Sequence, residues 1–526
     1  MPSLNNKDKI KELLKRNHEA LSDININTLF NEDKNRAKKF TIQFSDLYID
    51  YSKNIITDET LDLLLQYALS NNIETIISGM FNGEKINTTE ERAALHVALR
   101  GNSKLKLKNI EIESDVKNEL KKIKSFVSNV HEKKIRGWTN KPFDTFINIG
   151  TGGADLGSKM VVSALEKYRL NNTKSFFISN IDPEQLESTM KKINPETTLF
   201  IISSKSSETM ETITNARTLK SWMIQSGCSD INKHFFVVSS NSKIIKDFGI
   251  KEDNLFKIWD WVGGRFSLWS AVGLPIALSV GFENFEKMLS GAFSMDQHFL
   301  NEAPKNNIPI TLALIDFWYI NFFEAYAQAF IPYDESLKYM PTYLAQLFME
   351  SNGKSSDLSG NKINHKTGSI ILGSVGTNSQ HSINQLLHQG KHLIPIDFLA
   401  PLYKEGNQQH HQLLLANCLA QSRALMLGES NSKLQLNFEG NKPSTTILYK
   451  ELTPELLGTL IAMYEHRVFI QGLLLEVNSF DQYGVELGKK IALDVMDSVQ
   501  NKKDTSDLDL STKNLIAIYK NYKNNE

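Results

Sequence analysis

Between about residues 140 and 265 the chain alternates short apolar runs with longer stretches of helical period. FINIG (146–150), SFFIS (175–179), LFIIS (199–203) and HFFVVSS (234–240) are too short for helices and are apolar at successive positions. A strand buried on both faces needs that pattern, and the helical stretches between supply crossovers for a parallel sheet. A second unit repeats the rhythm with SIILGS (369–374), LIPIDFL (393–399) and TTILYKEL (445–452). Helical segments are predicted there at about 380–389, 408–427 and 454–466. Ahead of both units, residues 1 to about 115 predict mainly helix. Ile10, Leu13, Leu14 and Leu21 share one apolar face, and Thr88 to Glu91 has capping-box spacing before another apolar run. Residues 501–526 are polar apart from LIAIY and predict a tail helix. The predicted fold class is therefore α/β, with parallel sheets flanked by helices.

Length agrees with several units, because 526 residues exceed one ordinary core. The charge count changes the functional picture more. Lys plus Arg is 59 against 60 Asp plus Glu, so no global field draws in nucleic acid or an anionic membrane. Any anionic ligand must be held by local groups. Two cysteines, Cys228 and Cys418, exclude a disulfide framework and a cysteine-rich metal site, and suit a reducing compartment. The segment LWSAVGLPIALSVGF (268–282) is short and broken by glycine and proline, so it reads as a buried helix, not a membrane span. The first residues carry no apolar run and read as a charged amphipathic helix, not a secretory signal. The expected location is cytoplasmic.

The candidate chemistry starts where a buried strand meets a helix, in FIISSKSSETMETITNA (200–216). Ligands of open parallel sheets sit beyond the carboxyl ends of strands, and a helix amino terminus offers unpaired N–H groups to a phosphate. Ser203, Ser204, Ser206, Ser207 and Thr209 around Lys205 add donors suited to a tetrahedral dianion. The nucleotide-loop pattern is absent, which favours a small phosphorylated metabolite over ATP. Helix capping alone also accounts for these hydroxyls. A second junction, INIGTGGADLGSKM (147–160), brings Gly150, Gly152, Gly153 and Gly157 to the same edge of the sheet. Glycines allow close backbone approach to a ligand. Two donor-rich junctions in one sheet favour the phosphate reading.

WDWVGGRFSLWSAVGLPIAL (259–278) and GLLLEVNSFDQYGVELGKK (472–490) resemble the signature stretches of the glucose-6-phosphate isomerase family. The resemblance also runs through NGEKINTTEERAALHVALR (82–100), the glycine turn, SNIDPEQLESTM (179–190) and the serine-rich loop. It continues through PYDESLKYMPTYLAQLFMESNGK (332–354), GTNSQHSINQLLHQG (376–390) and YEHRVFIQG (464–472), in family order. It implies two sugar-isomerase α/β domains, at 116–290 and 291–500, between a mainly helical region 1–115 and a tail 501–526. It also implies a homodimer, no cofactor, and isomerisation between glucose 6-phosphate and fructose 6-phosphate.

By this resemblance Glu350 is the base that moves a proton between C1 and C2 through a cis-enediol, and Arg265 stabilises the enediolate. His381 and Lys489 match the ring-opening groups, with His381 contributed across the dimer interface, and Glu211 matches a carboxylate that orients the histidine. Ser204, Lys205, Ser206 and Thr209 match the phosphate cradle. Gly153, Ala154, Gly264, Gln346 and Gln482 match further substrate contacts. Departures are visible as well. Ala154 stands where the family's glycine turn has serine, which removes a hydroxyl near the substrate. Leu347 and Phe348 replace the usual glycine and aspartate, which predicts altered packing beside Glu350 without loss of catalysis.

Taken singly, each candidate has an ordinary reading: a solvated glutamate, an arginine paired with Asp260, a lysine at the end of a helical turn. His410 and His411 are adjacent, so on a helix they diverge by about 100°. His388 and His392 have Gly390 between them and no evident third ligand, so no metal is expected. Two rivals remain, an isomerase acting mainly on mannose 6-phosphate and a sugar-phosphate-binding regulator. Known dual-activity relatives are shorter and lack the long helical amino-terminal region, and a regulator needs no enolising base.

Overall fold

The computed structural model describes residues 6–100, 110–205 and 209–524. Their contacts divide the chain into two units, residues 1–479 and 480–526. The first unit holds two sheets. In one, strands β3 (Thr145–Ile149), β4 (Lys174–Ile178), β5 (Thr198–Ser203), β6 (Phe235–Ser239) and β7 (Leu255–Lys257) lie in the order β4-β3-β5-β6-β7, all parallel. β3, β5 and β6 are buried at every position, because helices cover both faces. Ile147, Ile149, Phe200, Ile202, Phe235 and Val237 pack there against Ala216, Leu219 and Met223 of helix Met210–Gln225.

The other sheet contains β1 (Thr41–Phe44), β2 (Leu47–Lys53), β8 (Ala327–Pro332), β9 (Ile370–Gly373), β10 (Ile396–Pro401) and β11 (Ser444–Tyr449). Its order is β1-β2-β11-β10-β8-β9, with β8 to β11 parallel and the β1–β2 hairpin added antiparallel to β11. In both sheets a strand edge opens to the same side as the following helix starts, which is where ligands bind in parallel sheets.

Helices Phe282–Asn301, Ile308–Asn321 and Pro454–Leu474 form the packed helical layer of this unit. Pro454–Leu474 is buried at every position except Glu455. The stretch at 268–282 is buried as expected, as a short turn and helix Leu274–Val280. No helix of the described residues is long and apolar enough to cross a membrane.

Several expectations change. The first helix, Asn6–Leu21, buries Ile10, Leu14, Asn17 and Leu21, while Leu13 is exposed. Asn17 takes the place of an apolar residue because its Oδ1 accepts from the Thr60 hydroxyl at 2.8 Å. Thr88–Glu91 does not open a helix. Asn87 and Arg92 exchange backbone hydrogen bonds across a turn whose Glu91 has φ 51°. The unit 480–526 comprises a turn at Tyr483–Val485 and helices Glu486–Val499 and Leu510–Asn524.

Candidate active site

Three loops meet at the carboxyl edge of β3 and β5. The first is the glycine turn after β3. A Cβ on Gly150 would lie 3.1 Å from the Ser203 carbonyl oxygen, and one on Gly153 would lie 2.2 Å from the Gly264 carbonyl. Glycine is required at 153 because backbone meets backbone there. Gly152 has φ 61° and faces Gln346, whose Nε2 would lie 3.2 Å from an added Cβ. The turn is braced from within, since Asn148 Nδ2 donates to the Ala154 carbonyl at 2.9 Å and Ser203 donates to Asn148 Oδ1 at 2.9 Å.

The second loop follows β5 and is the serine-rich stretch. Ser204 is buried and its hydroxyl donates to Thr209 Oγ1 at 3.4 Å; Thr209 precedes helix Met210–Gln225. Ser206 lies outside the described residues. Lys205 Nζ donates to the carbonyls of Asp260 at 2.9 Å and Val262 at 2.8 Å. Burial pulls its ammonium below the usual lysine range, and the Asp260 charge opposes that shift. A cation held by neutral carbonyls and partly desolvated gains when a dianion arrives. Glu211 lies in the first turn of the same helix, next to Thr212, whose hydroxyl is 3.5 Å from that of Thr151 in the glycine turn.

Lys205 thereby fastens the serine-rich loop to the third stretch, Val262–Arg265. Arg265 is buried. Its Nε donates to Ser351 Oγ at 2.6 Å, its Nη2 to the Ser479 carbonyl at 2.5 Å, and its Nη1 lies 3.9 Å from Glu350 Oε1. Glu350 and Gln346 are four residues apart on helix Met340–Asn352 and so share a face. Glu350 Oε2 and Gln346 Oε1 are both buried without a hydrogen-bond partner among the described residues. Two adjacent orphaned acceptors beside an arginine suit a polyol, whose hydroxyls would satisfy them. Leu347 and Phe348 are fully buried behind this face.

His381 is exposed in the turn after helix Gly376–Ser379, on the second sheet's side of the chain. Lys489 and Gln482 belong to the unit 480–526, where Lys489 pairs with Glu486 at 3.0 Å. A separate cavity of about 560 Å³ lies at the carboxyl edge of β8 and β10, lined by Asp334, Lys404, His410 and His411 among others. Its lysine is already committed, because Lys404 pairs with buried Asp334 at 2.5 Å. In the first sheet, by contrast, the hydrogen bonds of Lys205 Nζ among the described residues go to carbonyls.

The model of the phosphoglucose isomerase family matches residues 50–516. The chain belongs to that family. It is 43% identical to the glucose-6-phosphate isomerase of Campylobacter jejuni subsp. doylei over 96% of each chain. The Christiangramia forsetii glucose-6-phosphate isomerase is 44% identical, covering 96% of this chain and 97% of its own. The crystal structure of a glucose-6-phosphate isomerase from Chlamydia trachomatis superimposes with TM-score 0.87 at 30% identity, covering 97% and 98% of the two chains. With such relatives over nearly its whole length, this family member is an aldose–ketose isomerase fold with the helical amino-terminal region included. Sequence reasoning had not singled out Thr151, Ser351, Asn352 or Ser479 at this site. Each is a small polar residue at a turn or helix end, where a capping role is the default inference.

Proposed function

We propose that the chain interconverts D-glucose 6-phosphate and D-fructose 6-phosphate, as a homodimeric cytoplasmic enzyme. The observation that carries this reading is the Glu350–Arg265 pair, 3.9 Å apart, facing the glycine turn beside the serine-rich loop. That separation is too long for a hydrogen bond, so the cation stays near the carboxylate without bonding to it. The phosphate is held by Ser204, Lys205, Thr209 and, from the sequence, Ser206. Gly153 and Gly264 let the sugar lie against backbone.

Glu350 removes the proton from C2 of the open-chain aldose, or from C1 of the ketose, and returns it to the neighbouring carbon. Negative charge then sits on the enediolate oxygens. Arg265 stabilises it, as preorganised donors do, by about 10²–10³ in rate. Ring opening precedes this step and needs a proton moved from the anomeric hydroxyl to the ring oxygen. His381 of the partner subunit, oriented by Glu211, and Lys489 serve that transfer, with Gln346 and Gln482 holding sugar hydroxyls. The parallel strands at 145–257 and at 327–449, the latter extended by the β1–β2 hairpin, are the cores of the two proposed sugar-isomerase domains.

Purified protein is expected to turn over fructose 6-phosphate, read as NADP reduction through glucose-6-phosphate dehydrogenase. Binding of fructose 6-phosphate without turnover would contradict the proposal.

A further inference from the structure

We propose that Ser351 is a positioning residue whose hydroxyl holds the Arg265 guanidinium in register with the carboxylate of its neighbour Glu350. This rests on the reading of Glu350 as base and Arg265 as the cation of the enediolate. Ser351 is fully buried, and its Oγ accepts from Arg265 Nε at 2.6 Å. A serine near the end of a helix ordinarily bonds back to a carbonyl one turn earlier. Here its oxygen is turned to a side chain 86 residues away in sequence.

The consequence is geometric. Glu350 and Ser351 are consecutive on helix Met340–Asn352, so their side chains leave it about 100° apart. One presents Oε1 at 3.9 Å from Nη1, and the other fixes Nε of the same guanidinium. A single rigid turn of helix therefore sets the distance between base and cation.

The far side of the arginine is fixed just as firmly. Its Nη2 donates to the Ser479 carbonyl at 2.5 Å. The Ser479 hydroxyl donates to Asn352 Oδ1 at 2.7 Å, and Asn352 Nδ2 donates to Gln471 Oε1 at 2.8 Å and the Val468 carbonyl at 2.9 Å. Gly472 makes room for that joint, since a Cβ there would lie 1.9 Å from Ser479 Oγ. Gln471 Nε2 continues to Asp316 Oδ2 at 3.2 Å, which also accepts from Arg467 Nε at 2.7 Å. Ser351 and the Ser479 carbonyl are neutral acceptors, which orient a guanidinium without cancelling its charge. The frame preorganises the cation before substrate arrives.

The test is a double-mutant cycle read on kcat and KM for fructose 6-phosphate, with thermal unfolding recorded for each protein. Ser351→Ala is expected to lower kcat about 10- to 100-fold, the effect of a misplaced catalytic group, with KM within about threefold. Ser351→Cys keeps the volume but accepts weakly, and is expected to lose kcat by a similar factor, which removes cavity formation as the cause. In an Arg265→Lys background, where no Nε–H exists to be held, Ser351→Ala is expected to change kcat by less than about twofold. Equal losses in both backgrounds, or a loss confined to KM, would overturn the proposal. If Arg265→Lys alone leaves kcat unchanged, the reading of Arg265 as the cation fails first, and the role of Ser351 falls with it.

Discussion

At the scale of single residues, burial alters the behaviour of particular groups in and beside the site, Lys205 among them. Asp155, at the start of helix Leu156–Ala164 beside the glycine turn, is an example outside the catalytic set. Burial pushes its carboxyl up to about 6, against the pull of Lys159, and its Oδ1 has no hydrogen-bond partner among the described residues. The folded protein thus binds this proton more tightly than the unfolded chain does, where the ordinary value of 3.8 applies. Between these values stability falls as pH rises, and above about 6 the whole penalty is present. Asp155→Asn is expected to be more stable than wild type at pH 8, by on the order of 2–3 kcal/mol, with the difference vanishing toward pH 4. Urea midpoints at both pH values measure this, and a variant less stable than wild type at pH 8 would contradict it. Glu350, Arg265 and Lys205 were candidates from the sequence because their stretches resemble the family's in family order, and the structure brings Glu350 and Arg265 within 3.9 Å of each other. Ser351 and Ser479 were not. Their meaning lies in Arg265, whose contact with Ser479 spans 214 residues and which no local pattern announces.

At the scale of elements, strands were legible where burial on both faces makes them continuously apolar, as in β3, β5 and β6. The hairpin β1–β2 was not anticipated, because its turn at Ser45–Asp46 lacks the usual Asn-Gly signal although Ser45 has φ 52°. β8 escaped for a different reason. Its Gln328 interrupts the apolar run, and burial is tolerated only because Gln328 Nε2 donates to Asp316 Oδ1 at 3.1 Å. Helix packing was equally hidden, because it depends on two glycines far apart in sequence. A Cβ on Gly291 would lie 1.8 Å from the Glu455 carbonyl oxygen, and one on Gly458 would lie 2.0 Å from that of Met288. Helices Phe282–Asn301 and Pro454–Leu474 therefore touch backbone to backbone, with Thr459 Oγ1 donating to the Gly291 carbonyl at 3.0 Å. Gly291→Ala must force them apart. It is expected to lower stability by on the order of 3 kcal/mol, read as a reduced urea midpoint. An unchanged midpoint would show that the helices are less closely seated than described.

At the scale of the whole molecule, the site needs more than one chain if His381 acts on the partner's substrate. That proposal has a sharp consequence. Glu350→Gln and His381→Ala proteins are each expected to be nearly inactive alone. In a mixed dimer one site carries both changes and the other carries neither. Random re-association of equal amounts is then expected to restore about a quarter of wild-type activity, since half the dimers are mixed and each has one intact site. No recovery after confirmed subunit exchange would place His381 in its own subunit's site. The near-balanced charge of the chain fits this picture of local recognition, because the proposed cradle around Lys205 would hold the phosphate by local groups and not by a global field.

The most direct measurement is proton exchange with solvent. In heavy water, wild-type protein held with its sugar phosphates at equilibrium is expected to place deuterium at C2 of glucose 6-phosphate and C1 of fructose 6-phosphate. Glu350→Gln is expected to lose both turnover and exchange by about 10²–10⁴-fold, the loss of a general base, while still binding substrate. A Glu350→Gln protein that turns over and exchanges as fast as wild type would contradict the assignment of Glu350 as the base.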